Sequence, residues 1–188
     1  MSERPMRADA RRNYERLLSA AAEVFAERGE GASMDMVAKR AGVGPGTLYR
    51  HFPTREDLVV AVYRGGLEET AARARELLAE LPPGRALGAW MGVMAAHWRA
   101  CGELKTLMGV ILAEDEGLRE DCHSLMFDAS DALLADARAA GTVREDLCSA
   151  ELLRLLHAAV LAAAPKPGGT SVTLERMMEL LSDGLRPR

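Results

Sequence analysis

Five side chains between Thr47 and Arg55 carry the groups best suited to binding chemistry. Within this short run the chain places a hydroxyl, a phenol, two guanidinium groups and an imidazole, on Thr47, Tyr49, Arg50, His51 and Arg55. Each of these groups can donate hydrogen bonds, and the two guanidinium groups are permanently cationic. Hydroxyl, phenol and cationic donors are the ones that hold phosphate oxygens of nucleic acid. The residue types and their spacing therefore indicate a surface that binds DNA.

Two short helices joined by a glycine turn must position these side chains. Ser33 is a good N-cap, so a first helix is expected to begin just after it. Gly42 ends that helix, because glycine adopts the left-handed C-cap conformation without steric cost. Pro45 suits the first turn of a second helix, which must stop before Pro53. The sequence thus predicts a helix-turn-helix between Ser33 and Pro53.

The second helix has two distinct sides when its residues are spaced about 100° apart. A core side and an outer side are predicted, with Tyr49 at their border: Pro45, Leu48 and Phe52 face the core, and Gly46, Thr47, Arg50 and His51 face outward. The small, polar and cationic outer side is typical of a recognition helix in the major groove. A third helix is expected from Arg55, with Thr54 and Asp57 as a variant capping box.

The segment AGVGPGTLYRHFPTREDL resembles the DNA-binding motif of the TetR family of bacterial transcriptional regulators, whose common form is close to AGVSxGTLYxHFxxKExL. The run from Arg16 to Gly29 is similar to the first helix of that family, and Gly31-Ala32-Ser33 is similar to the approach to its second helix. The specific resemblance is confined to this N-terminal part of the chain. The C-terminal half loosely resembles the subset with an SbtR-like C-terminal domain.

The resemblance implies contacts to the DNA backbone. In the family, the positions matching Thr47, Tyr49, His51 and Arg55 commonly hold phosphates, and the position matching Ser33 caps the second helix near the backbone. Such contacts set register and affinity rather than sequence choice.

The resemblance also implies which positions face base edges. These are often the ones matching Pro45, Gly46 and Arg50, and Gly44 replaces a serine that in relatives frequently caps the helix and contacts phosphate. Pro45 and Gly46 have no side-chain hydrogen-bonding group. We therefore expect direct readout to fall on Arg50, paired with guanine, and on Thr47, whose methyl group touches thymine.

Charge is distributed unevenly along the chain. Residues 1–55 hold ten Lys or Arg against seven Asp or Glu, whereas residues 56–188 hold 14 against 21, for a net charge of −4 overall. A basic module on an acidic body fits local DNA binding. Four arginines are expected to form a basic arm ahead of the first helix: Arg4, Arg7, Arg11 and Arg12.

The chain is predicted to be all-α, with about nine helices in two domains. Residues 1–54 form the N-terminal three-helix DNA-binding domain with the helix-turn-helix, and residues 55–188 form a larger C-terminal effector-binding and dimerisation domain. Apolar spacing predicts helices over about 55–81, 85–101, 104–113 and 122–140, with an acidic stretch over 114–121. Gly65-Gly66 interrupts the first of these helices, and the pair indicates either a hinge or close packing against another helix.

A stripe of the helix from Arg85 faces the interior and carries a histidine. His97 is interpreted either as a core histidine or as a ligand-facing group, and methionines suit an irregular core or a permissive pocket equally. The predicted small-molecule site consists of Trp90, Met94, His97, Cys101, Met108, Met126 and Phe127.

The last two helices, over about 150–164 and 172–185, are expected to form a homodimer. The first, capped by Ser149, is apolar around much of its circumference and must be buried on several sides. The resemblance implies a four-helix bundle between twofold mates; the alternative is a monomeric core. A dimer would place two recognition helices about 34 Å apart on a palindromic operator.

Other functional classes fit the residues less well. Gly42-x-Gly44-x-Gly46 lacks the strand and further glycine of a dinucleotide fingerprint, and neither a carboxylate pair nor a nucleophile elbow indicates an enzyme. A structural helix bundle remains an alternative. So does a metal- or thiol-responsive regulator that uses Cys or His side chains, although no recognised zinc spacing occurs among them: Cys101, Cys122, Cys148, His97, His123 and His157.

The sequence predicts neither a metal site nor a cofactor. Three cysteines at irregular spacing favour reduced thiols. Neither a secretory signal nor an uncharged stretch long enough to span a bilayer occurs, which predicts a cytoplasmic protein without a membrane span. The expected function is that of a transcriptional regulator, most simply a repressor that a small-molecule effector releases from operator DNA.

Overall fold

The computed structural model describes residues 3–101, 104–163 and 172–187, with the side chains of 3–8, 30, 105 and 106 left undescribed. Over these residues the chain forms nine α-helices, a single 3-10 turn at Gly29–Gly31 and no strand, which confirms the all-α prediction. The helices are α1 Glu3–Arg28, α2 Met34–Ala41, α3 Pro45–His51, α4 Arg55–Glu80, α5 Ala86–Cys101, α6 Leu104–Glu114, α7 Glu116–Ala139, α8 Ser149–Ala162 and α9 Leu174–Gly184.

The described residues pack into two compact units. One contains the described residues through Gly66 together with Ala100–Glu116, and the other contains Leu67–Arg99 and the described residues from Gly117 onward. In the first unit α1 packs on α2, and α2 packs on α3. Its core is apolar and comes from four helices: Leu17, Ala21, Val24, Phe25, Val37, Ala38, Leu48, Leu58 and Val59.

The helix-turn-helix has the local signals that the sequence predicts. The Ser33 hydroxyl accepts a hydrogen bond from the Met36 amide at 3.3 Å, and Gly42 adopts φ +65° at the C-cap of α2. Pro45 is the first residue of α3, where its missing amide hydrogen costs nothing. These signals explain where α2 begins and ends and where α3 begins.

The middle of the chain differs from the prediction at one helix boundary. Helix α4 is continuous through Gly65 and Gly66, as the predicted helix over about 55–81 requires, and among the described residues outside the neighbouring helix backbone no atom lies within 4 Å of a Cβ built on Gly65. Helix α7 begins at Glu116 rather than Cys122. Most of the acidic stretch over 114–121 is therefore helical. Negative charge is favourable in the first turn of a helix, which explains why this helix can begin among acidic residues.

The N-cap of α8 is Cys148, not Ser149. The backbone amide of Cys148 donates to the Glu151 carboxylate at 2.9 Å, and the Cys148 side chain accepts from the Glu151 backbone in return. The hydrogen bond from the Cys148 backbone amide, followed by a hydrogen bond from the Cys148 side chain, lowers the pKa of the Glu151 carboxyl group. Ser149 is the first helical residue, and its hydroxyl instead donates to Asp131 on α7.

The second unit is built around buried residues of α5, α7 and α8. Its largest fully buried side chains include Trp90, Met91, Met94, Leu133, Leu134, Leu152 and Leu156. Helix α8 packs on α9, and the Arg144 amide donates to the Leu185 carbonyl at 2.9 Å. The sequence also predicts a loop from Pro165 to Gly169 between the last two helices, and that loop lies outside the described residues. None of the described helices combines the length and apolarity needed to cross a bilayer.

Candidate DNA-binding interface

Helix α3 presents a solvent-facing row of donors. Tyr49 is 47% exposed, Arg50 is exposed and Thr47 is half-buried, whereas Leu48 is fully buried and fixes the opposite side of the helix in the core. Across the parts of the chain that the structure covers, the Arg50 side chain makes no hydrogen bond or ion pair. Its guanidinium group is therefore available for an external acceptor.

The start of α3 is open to solvent. Gly44, Pro45 and Gly46 are not buried, and no atom lies within 4 Å of a Cβ built on either glycine. The prediction that Pro45 faces the core is wrong, although Leu48 and Phe52 are buried as expected. Pro45 is the first residue of α3, so no preceding turn of that helix lies beside it.

The turn between α3 and α4 is closed by a reciprocal cap. The Thr54 amide donates to the Asp57 carboxylate at 3.0 Å, and the Asp57 amide donates to the Thr54 hydroxyl at 3.1 Å. This is the predicted variant capping box, and it fixes the first turn of α4. Arg55 is the first residue of that turn.

Arg55 lies against an aromatic ring from α1. Its guanidinium carbon is 5.5 Å from the centroid of the Phe25 ring. That separation is within the range of a cation–π interaction. Phe25 is buried and Arg55 is half-buried. The contact restricts the guanidinium group at the end of the helix-turn-helix where a phosphate contact is predicted.

His51 lies in an aromatic cluster at the end of α3. The Tyr14 ring of α1 contacts the His51 imidazole edge to face, with centroids 5.9 Å apart, and also contacts Phe52 at 5.3 Å. Phe52 is 3% exposed, whereas Tyr14 is 37% exposed. The cluster therefore joins a buried ring to a half-buried imidazole.

Two arginines hold α1 and α2 together rather than remaining available. Arg16 on α1 donates to the Ala41 carbonyl at the C-terminal end of α2. Arg40 on α2 pairs with Glu27 at 2.7 Å and with Glu23 at 2.9 Å, and hydrogen bonds to these carboxylates, Glu27 first, raise the pKa of Arg40. These contacts join α1 to α2, the helix on which α3 packs.

The predicted basic arm is not an extension ahead of α1. Arg4, Arg7, Arg11 and Arg12 all lie within α1, because the helix begins at Glu3. Arg11 pairs with Glu15 and Arg12 pairs with Asp9. The side chains of Arg4 and Arg7 lie outside those that the structure describes.

The predicted effector residues are divided between the two units. Trp90, Met94 and Met126 are buried in the second unit, and the Trp90 indole donates to the Thr70 carbonyl at 2.9 Å. Cys101 and Met108 are buried in the first unit.

His97 and Phe127 are half-buried in the second unit. Burial lowers the pKa of His97 and so favours the neutral imidazole. The Phe127 ring contacts His123 edge to face at 6.1 Å. Across the described segments, no group of three or more His, Cys, Asp or Glu side chains could hold a metal ion.

Three residues of α1 make contacts at this interface that the sequence does not predict. Tyr14, Arg16 and Phe25 act from α1 on groups that lie far along the chain. The signal that the sequence carries is that Tyr14 falls on the apolar stripe of α1, at helical spacing before Leu17, Ala21 and Phe25. Their partners depend on how α1 packs on the helix-turn-helix, which local spacing does not specify.

Two family models cover most of the chain. The model described as "Bacterial regulatory proteins, tetR family" matches residues 17–62, and the model described as "Transcriptional regulator SbtR-like, C-terminal domain" matches residues 82–187. Among curated proteins, the HTH-type transcriptional regulator UidR of Escherichia coli (strain K12) is 40% identical over 72 residues, which is 38% of this chain and 37% of UidR. The chain thus matches little more than a third of the length of that relative.

Solved structures extend the likeness to nearly the whole chain. A TetR transcription regulatory protein from Mycobacterium vanbaalenii is 39% identical, with a TM-score of 0.76 and coverage of 97% of this chain and 99% of that one. The TetR transcriptional regulator SCO0520 from Streptomyces coelicolor is 36% identical, with a TM-score of 0.75 and coverage of 92% and 98%. These relatives are regulators, not enzymes. The chain belongs to the TetR family of DNA-binding transcriptional regulators, with an SbtR-like C-terminal domain.

Proposed function

We propose that this protein is a repressor whose α3 helix reads a palindromic operator and which a small-molecule effector releases from DNA. Residues 1–54 are the DNA-binding domain in this proposal, and residues 55–188 bind effector and dimerise. The exposed donors on α3 carry the proposal, because Arg50 has no partner within the described parts of the chain and is exposed. The protein is expected to act in the cytoplasm.

Phosphate contacts are assigned to the groups that flank Arg50. Thr47, Tyr49, His51 and Arg55 supply the donors, while Ser33 caps α2 beside the backbone. Gly44, Pro45 and Gly46 let the start of α3 approach DNA closely, because their open backbone carries no bulky side chain. Arg50 reads guanine and the Thr47 methyl touches thymine.

A homodimer through α8 and α9 is supported by their exposed apolar side chains. Leu155, Leu161 and Leu180 are 46%, 56% and 50% exposed, and α9 buries none of its residues within one chain. A groove of about 570 Å³ beside these helices is lined by leucines, among them Leu155 and Leu180, together with the charged residues Arg144, Asp146, Glu151 and Arg154. A partner chain that covers the groove would remove Leu155 and Leu180 from water.

The effector is assigned to the C-terminal domain. Of the side chains predicted from the sequence, five belong to the second unit and carry this proposal: Trp90, Met94, His97, Met126 and Phe127. An effector that binds one dimer conformation more tightly shifts the population toward it, by no more than its differential affinity for the two states. Release follows if that conformation places the recognition helices at a spacing that the operator does not match.

The first experiment selects bound sequences from a random duplex library with the full-length protein. We expect a palindrome whose half-sites lie about one helical turn apart, a distance that follows from two recognition helices on one face of DNA. A footprint on the selected site, followed by a thermal-shift screen of small molecules and a release assay, tests effector control. Enrichment of no sequence, or of a single half-site, would contradict the proposal.

A further inference from the structure

An aromatic residue of α1 lies beside a donor of the recognition helix. The Tyr14 and His51 ring centroids are 5.9 Å apart at an interplanar angle of 62°, an edge-to-face arrangement. The motif that carries the family resemblance does not include Tyr14, and the two residues lie far apart in the sequence. The contact brings a second helix to a predicted phosphate-binding group.

The same tyrosine is anchored by the core. Its ring lies 5.3 Å from the Phe52 ring at 31°, and Phe52 is 3% exposed. Phe52 and His51 are adjacent in sequence, with ring centroids 6.3 Å apart. Tyr14 therefore bridges a fixed core ring and an imidazole that reaches the surface.

An imidazole that is free to rotate loses conformational entropy when it binds a phosphate. Its terminal torsion is broad, so a contact with phosphate must first restrict the ring to one orientation. An edge-to-face aromatic neighbour favours a particular ring orientation and supplies that restriction before DNA arrives. Preorganisation of this kind increases affinity without a new contact to the ligand.

We propose that Tyr14 is a positioning residue for DNA binding: its ring holds the His51 imidazole in the orientation that donates to a backbone phosphate. The proposal rests on the assignment of His51 to phosphate under the proposed function. Tyr14 acts through its ring face and edge, so its hydroxyl is not required.

The test measures binding of full-length variants to a fluorescein-labelled random-sequence duplex at low salt, where phosphate contacts dominate affinity. Tyr14→Ala should weaken binding about three- to tenfold, the equivalent of one aromatic pair. Tyr14→Phe should bind as the parent protein does. In a His51→Ala background, Tyr14→Ala should produce no further loss.

Two measurements separate positioning from stability. Thermal unfolding identifies a variant that does not fold, and Tyr14→Leu then replaces Tyr14→Ala because it keeps apolar bulk. The His51 imidazole resonances in an NMR spectrum of the free protein should shift in Tyr14→Ala and Tyr14→Leu but barely in Tyr14→Phe. A merely structural role would leave the loss of affinity independent of His51.

Several results would overturn the proposal. An undiminished effect of Tyr14→Ala in the His51→Ala background would mean that Tyr14 acts elsewhere. A loss in Tyr14→Phe equal to that in Tyr14→Ala would assign the effect to a direct hydroxyl contact. If His51→Ala itself leaves affinity unchanged, the phosphate assignment fails, whereas a parent protein that binds no DNA contradicts the proposed function as a whole.

Discussion

The guanidinium carbon of Arg55 lies 5.5 Å from the centroid of the Phe25 ring, so a core residue of α1 holds a cation at the first turn of α4. Phe25 is 4% exposed and cannot move without disturbing the hydrophobic core. The contact with this ring therefore limits the positions that the Arg55 guanidinium group can occupy. Because α1 supplies the ring, α1 contributes to the geometry of the cationic surface.

Replacing Arg55 by methionine should weaken binding to all duplex sequences about equally. The reason is that a phosphate contact carries no base information. Its removal should also reduce, by about 1, the slope of log affinity against log salt concentration. Fluorescence anisotropy at several salt concentrations measures both quantities. Arg73→Met is the matched control, because Arg73 is paired with Glu76 on the part of α4 in the second unit and should leave the slope unchanged.

The two glycines that flank Val43 should respond oppositely to serine. Gly44 is extended, with φ −70° and ψ 150°, and no atom lies near a Cβ built there. Gly44→Ser adds a capping hydroxyl and should raise the free energy of unfolding by a few tenths of a kcal/mol. Gly42→Ser forces a left-handed serine whose Cβ would lie 2.9 Å from the Arg16 guanidinium. That change should cost about 2 kcal/mol, and chemical denaturation measures both variants.

The contrast fails if Gly44→Ser destabilises the protein as much as Gly42→Ser does. That outcome would show that α3 needs glycine at its N-cap for a reason other than the cap itself. A stabilised Gly44→Ser variant with unchanged DNA affinity would show that the serine common at this position in relatives serves the helix rather than the phosphate.

The helix-turn-helix is predictable from local signals, because a residue at each of these helix boundaries determines where the helix begins or ends. Ser33 caps α2, Gly42 ends it and Pro45 starts α3, and none of these effects depends on distant parts of the chain. Cys148 was harder to predict as a cap, because the adjacent Ser149 is the better N-cap by type. The Ser149 hydroxyl instead donates a hydrogen bond to Asp131 on α7, so it does not cap α8.

Long-range packing explains most of what the sequence did not reveal at the interface. The spacing within α3 predicts an outward His51, but it says nothing of the Tyr14 ring that contacts it. Helical periodicity likewise places Pro45 on the core side, whereas Pro45 is exposed at the first position of α3. Most side-chain directions within α3 could be read from the sequence, but partners could not.

Acidification should destabilise the protein in part through His97. Burial lowers the pKa of this imidazole below its ordinary value of 6.5, so the unfolded chain binds a proton more readily than the folded one. The stabilising contribution is present above the unfolded pKa and is lost as pH falls through the lowered pKa of the folded state. Denaturation across this range should show a weaker decline for His97→Gln than for the parent protein.

His123→Gln is the control for the pH experiment, because His123 is exposed on α7. It should retain the decline of the parent protein. An identical pH dependence in His97→Gln and the parent would show that the His97 environment does not disfavour the imidazolium, contrary to its burial.

Dimerisation should depend on the exposed leucines of α8. Leu161→Glu introduces a charge at a side chain that is 56% exposed in one chain. It should shift the protein toward monomer, because a buried unpaired carboxylate is costly at an interface. Val110→Glu on α6 is matched in exposure, at 55%, and should leave the dimer intact. Sedimentation velocity distinguishes them; a monomeric parent, or a dimeric Leu161→Glu, would contradict the assignment.

The most direct test of sequence reading by α3 compares base preference in Arg50→Ala and Arg55→Ala on the operator selected by the parent protein. We predict that Arg50→Ala relaxes preference at one base pair of each half-site by about 1 to 3 kcal/mol, whereas Arg55→Ala weakens all sequences uniformly. The measurement is a binding titration against every single-base variant of the site. A uniform loss with Arg50→Ala would make Arg50 a phosphate contact and contradict the claim that it reads sequence.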